Sequence, residues 1–223
     1  MISEQISVAV PGNVDLPGDL DMPPSPRGMV LFVHGSGSSR HSPRNRAVAA
    51  ELQRHGWGTL LIDLLSEDEE KTDAATGQHR FDIALLSERT ATAIEWLSKY
   101  PVTHGVPVHL FGASTGAAAA LVAAAQAGPV VSVVSRGGRP DLAGDALKQV
   151  EVPVLLLVGG RDPQVLELNQ EAAQLLPADH QLQVIPGATH LFEEPGALEQ
   201  VAAAAREWFL NTAEAHAEGH HLP

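Results

Sequence analysis

Five short runs of apolar residues, MVLFV, TLLI, VHLF, VVSVV and VLLLV, recur between residues 29 and 158 with almost no polar interruption. A strand with one wet face alternates polar and apolar side chains; these runs do not, so they read as strands buried on both faces. Amphipathic patterns separate them: NRAVAAELQRHG, FDIALLSERTATAIEWLSKY, AAAALVAAAQ, DLAGDALKQV and LELNQEAAQLL. A further strand, HQLQVIPG, and a closing helix, ALEQVAAAAREWFLNTA, complete the order. Strand and helix in alternation imply an α/β fold, a doubly wound and mostly parallel sheet with helices on both faces.

The first central strand is expected at residues 28–33, preceded by a short alternating strand, ISVAV, and a turn-rich stretch, PGNVDLPGD. Residues 66–80, SEDEEKTDAATGQHR, read as a polar loop that could overhang a site, and 1–212 as a single domain followed by a disordered tail at 213–223. At 44% hydrophobic and 18% charged, 223 residues suffice for one sizeable core. A net charge of -13 argues against nucleic-acid and anionic-membrane partners. The one basic cluster, Arg40, His41, Arg44 and Arg46, reads as the solvated first turn of a helix. Without cysteine the chain has no thiolate nucleophile, disulfide or thiolate metal site. No leader pattern opens the sequence and no apolar stretch approaches a membrane span, so a cytoplasmic protein is expected. No metal site is expected, although His216, His220 and His221 near the end could hold an adventitious ion.

In an open parallel sheet, chemistry gathers where the strands end. Four of those ends read HGSGSSRHSPRN, GASTG, GGRDPQV and PGATHLFEEPG. The second is G-x-S-x-G between a strand and a helix, the setting of a nucleophile elbow in which Ser114 is presented at a helix N-terminus. A capping serine in a glycine-rich turn is the plainer alternative. A serine hydroxyl needs a base, and His190, after the last strand, is the best placed histidine. His34 suits the shaping of its own loop. Asp162 can fix the tautomer of His190, with Glu193 and Glu194 as alternative acids. The backbone N–H groups of Thr115 and Ser36 are the expected oxyanion donors, each on the scale of roughly 3 kcal/mol. Arg40, His41, Arg136, Arg139 and Phe192 are candidate substrate contacts. A phosphate cradle is the rival for the glycine-rich loop, but neither nucleotide-binding glycine signature is present.

From about residue 28 to residue 210 the chain resembles the α/β-hydrolase superfamily, and within it the dienelactone hydrolase-like group. FVHGSGSSRHSPRN, LFGASTGAAAAL, VSRGGRPDL, LLLVGGRDPQVLELN and VIPGATHLFEEPGALEQVA carry the resemblance. It implies Ser114 as nucleophile, Asp162 as acid, His190 as base and Ser36 with Thr115 as oxyanion hole. Dienelactone hydrolases use a cysteine nucleophile; serine here points instead to a serine esterase acting on small carboxylic esters. About 15 residues between VVSVVSR and VPVLLLV leave no room for a cap domain. The expected protein is therefore a capless hydrolase with a small-molecule ester substrate and no cofactor. A thioesterase, amidase or acyltransferase would share the triad, and a non-catalytic binding protein would share the fold.

Overall fold

The computed structural model describes residues 1–126 and 128–219. A hairpin opens the chain, β1 (Ile2–Val10) and β2 (Val14–Met22). The five apolar runs become β3 (Met29–Val33), β4 (Gly58–Ile62), β5 (Val108–Ala113), β6 (Val130–Arg136) and β7 (Val154–Gly159), with β8 (His180–Ile185) last. They form one sheet in the order β1-β2-β4-β3-β5-β6-β7-β8. Pairing is antiparallel on both sides of β2 and parallel from β4 to β8.

Every residue of β3 to β7 is buried, because helices cover both faces of the sheet. Leu31, Leu110, Val133 and Leu156 pack with Ile94 and Leu97 of α3 (Ile83–Lys99) and Leu121 of α4 (Thr115–Gln126). On the other face, Phe32, Phe111, Val134 and Leu155 meet Val48 and Leu52 of α1 (Pro43–Arg54) and Val201 and Phe209 of α6 (Ala197–Gly219). Adjacent residues of a strand thus enter different cores, which is why the runs do not alternate. Each such side chain contributes about 1.5–3 kcal/mol on burial.

Four segments differ from the sequence expectation. The turn at the start is confined to residues 11–13, and β2 runs through Pro17 and Gly18. Pro17 lies just outside the β2–β4 pairing, which starts at Gly18, so its missing N–H breaks no bond to β4. Residues 66–80 are not a loop: Glu67–Thr76 form α2. The Ser66 hydroxyl accepts from Glu69 N–H, the Glu69 carboxylate accepts from Ser66 N–H, and Gly77 ends the helix at φ 71°. The expected helix at 141–150 is a 3-10 segment, Pro140–Gln149, bent at Gly144, whose φ of 55° and ψ of -134° no α-helix accommodates. Finally, α6 continues to Gly219, six residues past the sequence reading, so the expected tail is helical over its described part; His220 and His221 lie outside the described residues. No helix among the described residues is long and apolar enough to cross a membrane. Between β7 and β8 lies α5 (Pro163–Ala173).

Candidate active site

The turn from β5 into α4 is built by exclusion. A Cβ at Gly112 would lie 2.5 Å from Ala117 Cα, and one at Gly116 only 2.2 Å from the Val33 carbonyl oxygen. Strand, turn and helix therefore close to a distance that only hydrogen at these positions permits. Between them Ser114 is held at φ 53°, a left-handed conformation that costs a non-glycine residue about 1–2 kcal/mol. Three bonds over-determine it: Ser114 N–H donates to the Arg136 carbonyl at 3.2 Å, and the Ser114 carbonyl accepts from Ala117 N–H and Arg139 N–H, both at 3.1 Å.

His190 and Asp162 meet as expected, Nδ1 to Oδ2 at 2.7 Å. An ionised carboxylate only accepts, so Nδ1 carries a proton, and in the neutral ring Nε2 is the nitrogen with the free lone pair. Asp162 occupies the N-cap position of α5, where aspartate ordinarily binds its own helix, yet its side chain makes no cap hydrogen bond. The carboxylate is committed to His190 instead. The alternative acids are committed elsewhere. Glu194 accepts from Thr189 N–H at 3.1 Å and Thr189 Oγ1 at 2.6 Å, shaping the His190 loop, and Glu193 faces Arg44 at 3.4 Å.

Ser114 and His190 share no hydrogen bond in this structure, though adjacent residues tie them together. Ser114 N–H is held by Arg136, and the next residue, Gly137, stands against His190, a Cβ there falling 3.6 Å from His190 Cε1. Such bonds are often long before substrate binds.

Ser36 and Thr115 also come together, in an arrangement the sequence does not reveal. Ser36 N–H donates to Thr115 Oγ1 at 2.9 Å, and the two hydroxyls lie 2.9 Å apart. Ser36 Oγ donates to the Arg80 carbonyl at 2.6 Å, so the shared proton belongs to Thr115 Oγ1. The Thr115 hydroxyl therefore occupies the Ser36 donor. Arg80 is fixed in turn by Asp73, which accepts from the N–H of His79 and Arg80 and from Arg80 Nε. His34 shapes its loop: Nε2 accepts from Leu64 N–H at 3.0 Å, so Nδ1–H donates to the Gly35 carbonyl, and burial pushes its pKa below the ordinary histidine range.

Among the candidate substrate contacts, Arg40 is turned away, binding Asp63 through backbone N–H and guanidinium and lying 3.7 Å from Asp19. Arg139 is likewise spent on Asp141, in two bonds of 2.9 and 2.7 Å. His41 lines a cavity of about 620 Å³ between the 34–44 loop and α2, with Ser36, Arg44, Glu70 and Arg80. Phe192 is buried at φ 55° beneath Arg136, 5.8 Å from guanidinium carbon to ring centre, and packs against Gly137. Arg136 is buried, and its carbonyl accepts from Ser114 N–H. Its Nη2 donates to Asn45 Oδ1 at 3.2 Å, and Arg44, read from the sequence as solvated, is half-buried and lines the same cavity as His41; both placements are tertiary facts with no sequence signal beyond the basic cluster itself. No cluster of three metal-ligating side chains occurs among the described residues.

Known proteins share this architecture. The crystal structure of a dienelactone hydrolase from Anabaena variabilis ATCC 29413 is 53% identical, with a TM-score of 0.91 over 94% of this chain and 97% of that one. Est1E from Butyrivibrio proteoclasticus is 18% identical with a TM-score of 0.77, covering 93% of this chain and 98% of its own, a likeness of fold. Two proteins from strains of Mycobacterium tuberculosis, whose names call them phosphoribosyl transferases, are 56% identical over 209 residues. That match covers 93% of this chain and 46% of theirs, so the chain spans about half the length of the curated relatives it matches. A model described as the dienelactone hydrolase family matches residues 20–216, and on that extent the chain belongs to the dienelactone hydrolase family.

Proposed function

We propose that this chain hydrolyses small carboxylic esters through Ser114, His190 and Asp162. His190 Nε2 takes the proton from Ser114 Oγ as the oxygen attacks the ester carbonyl. The tetrahedral intermediate expels the alcohol, which leaves with the proton from His190, and an acyl-serine remains. Water, deprotonated by His190, attacks the acyl-serine; the carboxylic acid departs and the proton returns to Ser114. The N–H groups of Thr115 and Ser36 receive the negative oxygen in both steps, Ser36 by exchanging its bond to the Thr115 hydroxyl.

The observation that carries this reading is the 2.7 Å contact between His190 and an aspartate that leaves its own helix uncapped. An aspartate at an N-cap ordinarily holds its own helix, whereas this one is turned to an imidazole 28 residues away. The strained serine between two sterically obligatory glycines supports the same reading. Thioester and amide substrates use the same groups, and the leaving group is decided by a substrate panel. The transferase name belongs to proteins about twice as long, and no feature of this site favours phosphoribosyl transfer.

The test is intact mass after treatment with a fluorophosphonate. One adduct is expected, absent from Ser114→Ala and slowed on the order of a thousandfold or more in His190→Ala. An unlabelled wild-type protein, or labelling that survives Ser114→Ala, overturns the assignment and favours a binding role for the same fold.

A further inference from the structure

Helix α2 carries five carboxylates, and four of them have a cation. Glu67 and Asp68 share Lys71 at 3.0 and 3.4 Å, Glu69 binds Arg89 through both oxygens at 2.7 Å, and Asp73 holds Arg80 at 3.2 Å. The fifth, Glu70, is half-buried and has neither an ion pair nor a side-chain hydrogen bond among the described residues. Its surroundings disfavour the charge it carries: burial pushes its pKa upward, the Asp63 carboxylate adds to the push, Arg40 offsets them only in part, and Glu67 pushes the same way. A carboxylate partly withdrawn from water, facing other carboxylates and given no cation by its own chain, is completed by a cation from outside.

The helix decides where this carboxylate points. Glu70, Asp73 and Ala74 are spaced i, i+3 and i+4, so they share one stripe of α2, and all three line the 620 Å³ cavity that also receives Ser36. Leu65 and Leu86, 8% and 4% exposed, give the same cavity an apolar patch. Of its guanidiniums, Arg80 is committed to Asp73 and Arg44 faces Glu193, and neither is among the charges that act on Glu70. Nor does Glu70 hold α2 in place, since the Ser66 cap, the Glu69 pair and the Asp73 clasp do so. The cavity thus offers apolar wall for a hydrocarbon arm and one unmatched negative charge for its end.

We propose that Glu70 is a subsite for an ammonium group at the end of a hydrocarbon arm of the substrate. The subsite rests on the ester-hydrolase reading and narrows its substrate to esters that bear an aliphatic amine. Ser36, an oxyanion donor on the proposed mechanism, lines the cavity with Glu70, so an arm leaving the reacting carbonyl beside Ser36 enters the space that Glu70 faces. An ammonium is a compact charge with three donors, and a carboxylate accepts from it in a charge-assisted hydrogen bond.

The experiment compares kcat/KM within two pairs of esters, so that either arm of the substrate is covered. On the acyl side the pair is the 4-nitrophenyl esters of 6-aminohexanoate and heptanoate; on the alcohol side it is the acetates of 6-aminohexanol and heptanol. Within each pair an ammonium replaces a methyl group. Wild-type protein is expected to favour the ammonium ester of at least one pair by about tenfold or more, and Glu70→Gln to reduce that ratio by about tenfold. Because Glu70 is no anchor of α2, the variant tests the subsite rather than the fold. Ratios near one in both pairs, or a preference that Glu70→Gln leaves alone, overturn the proposal. If none of the four esters is cleaved, fluorophosphonate labelling of Ser114 tells whether the hydrolase reading itself has failed, and the subsite is judged separately by thermal shift with hexylammonium chloride. A shift in wild type that Glu70→Gln abolishes supports it, and equal or absent shifts in both proteins overturn it.

Discussion

The elbow at residues 112–116 and the segment at residues 66–80 both border the candidate site, and they are held by opposite means. At the elbow nothing charged takes part: Gly112 and Gly116 allow backbones to close to within a Cβ's width, and the geometry of Ser114 follows. In α2 almost nothing apolar takes part. Its one buried residue is Asp73, and its anchors are the Glu69 pair with Arg89, the Ser66 cap and the clasp of Asp73 on Arg80. Steric exclusion is indifferent to pH and salt, whereas ion pairs and caps respond to both. One wall of the site is therefore rigid by shape and the other conditional on charge.

The strongest way to break this comparison is Gly116→Ala. The added carbon would meet the Val33 carbonyl oxygen at 2.2 Å, and a loss of about 3 kcal/mol or outright misfolding is expected in urea denaturation. A variant within about 1 kcal/mol of wild type would mean that the elbow yields. Next in size is Ser36→Ala, which cuts the link from Arg80 to the Thr115 hydroxyl; kcat is expected to fall about tenfold with a smaller change in KM. An equal effect on KM alone would assign the link to substrate binding.

Acid sharpens the contrast. Hydrogen bonds from Arg89 hold the Glu69 carboxyl at about 2, below its ordinary 4.5. A depressed pKa stabilises the folded form above the unfolded value, and that stability drains away as pH falls from 4.5 towards 2. Amides of residues 67–76 are expected to lose hydrogen-exchange protection over that window before those of residues 115–126, and Glu69→Gln to loosen the same helix at neutral pH. Simultaneous loss in both segments would show that α2 is not separately held. The smallest effect expected is that of Ser66→Ala, about 1 kcal/mol of local helix stability by the same measurement.

The contrast also explains what the sequence discloses. Double-sided burial writes itself as unbroken apolar runs, so β3 to β7 are legible, and steric closure writes itself as glycine at fixed offsets from Ser114. Asp162 and His190 are legible because chain order places them after β7 and β8. A helix such as α2, polar on every side, has no apolar stripe to betray it; its signal lay in the spacing of Ser66, Glu69 and Gly77 rather than in composition. Guanidiniums were the least legible. Nothing local tells that Arg40 meets Asp63 or that Arg44 meets Glu193, while Arg136 has no carboxylate partner among the described residues. Those pairings depend on side-chain reach across elements far apart in sequence.

The hydroxyl of Thr115 on the Ser36 N–H acts, on the proposed mechanism, as a threshold. A neutral ester carbonyl is a weaker acceptor than an alkoxide and gains little by displacing a hydroxyl already in place. Only as charge builds on the oxygen does the exchange become favourable. The donor then withholds its contribution from the bound ester and delivers it at the top of the barrier, where it raises turnover without tightening the hold on substrate.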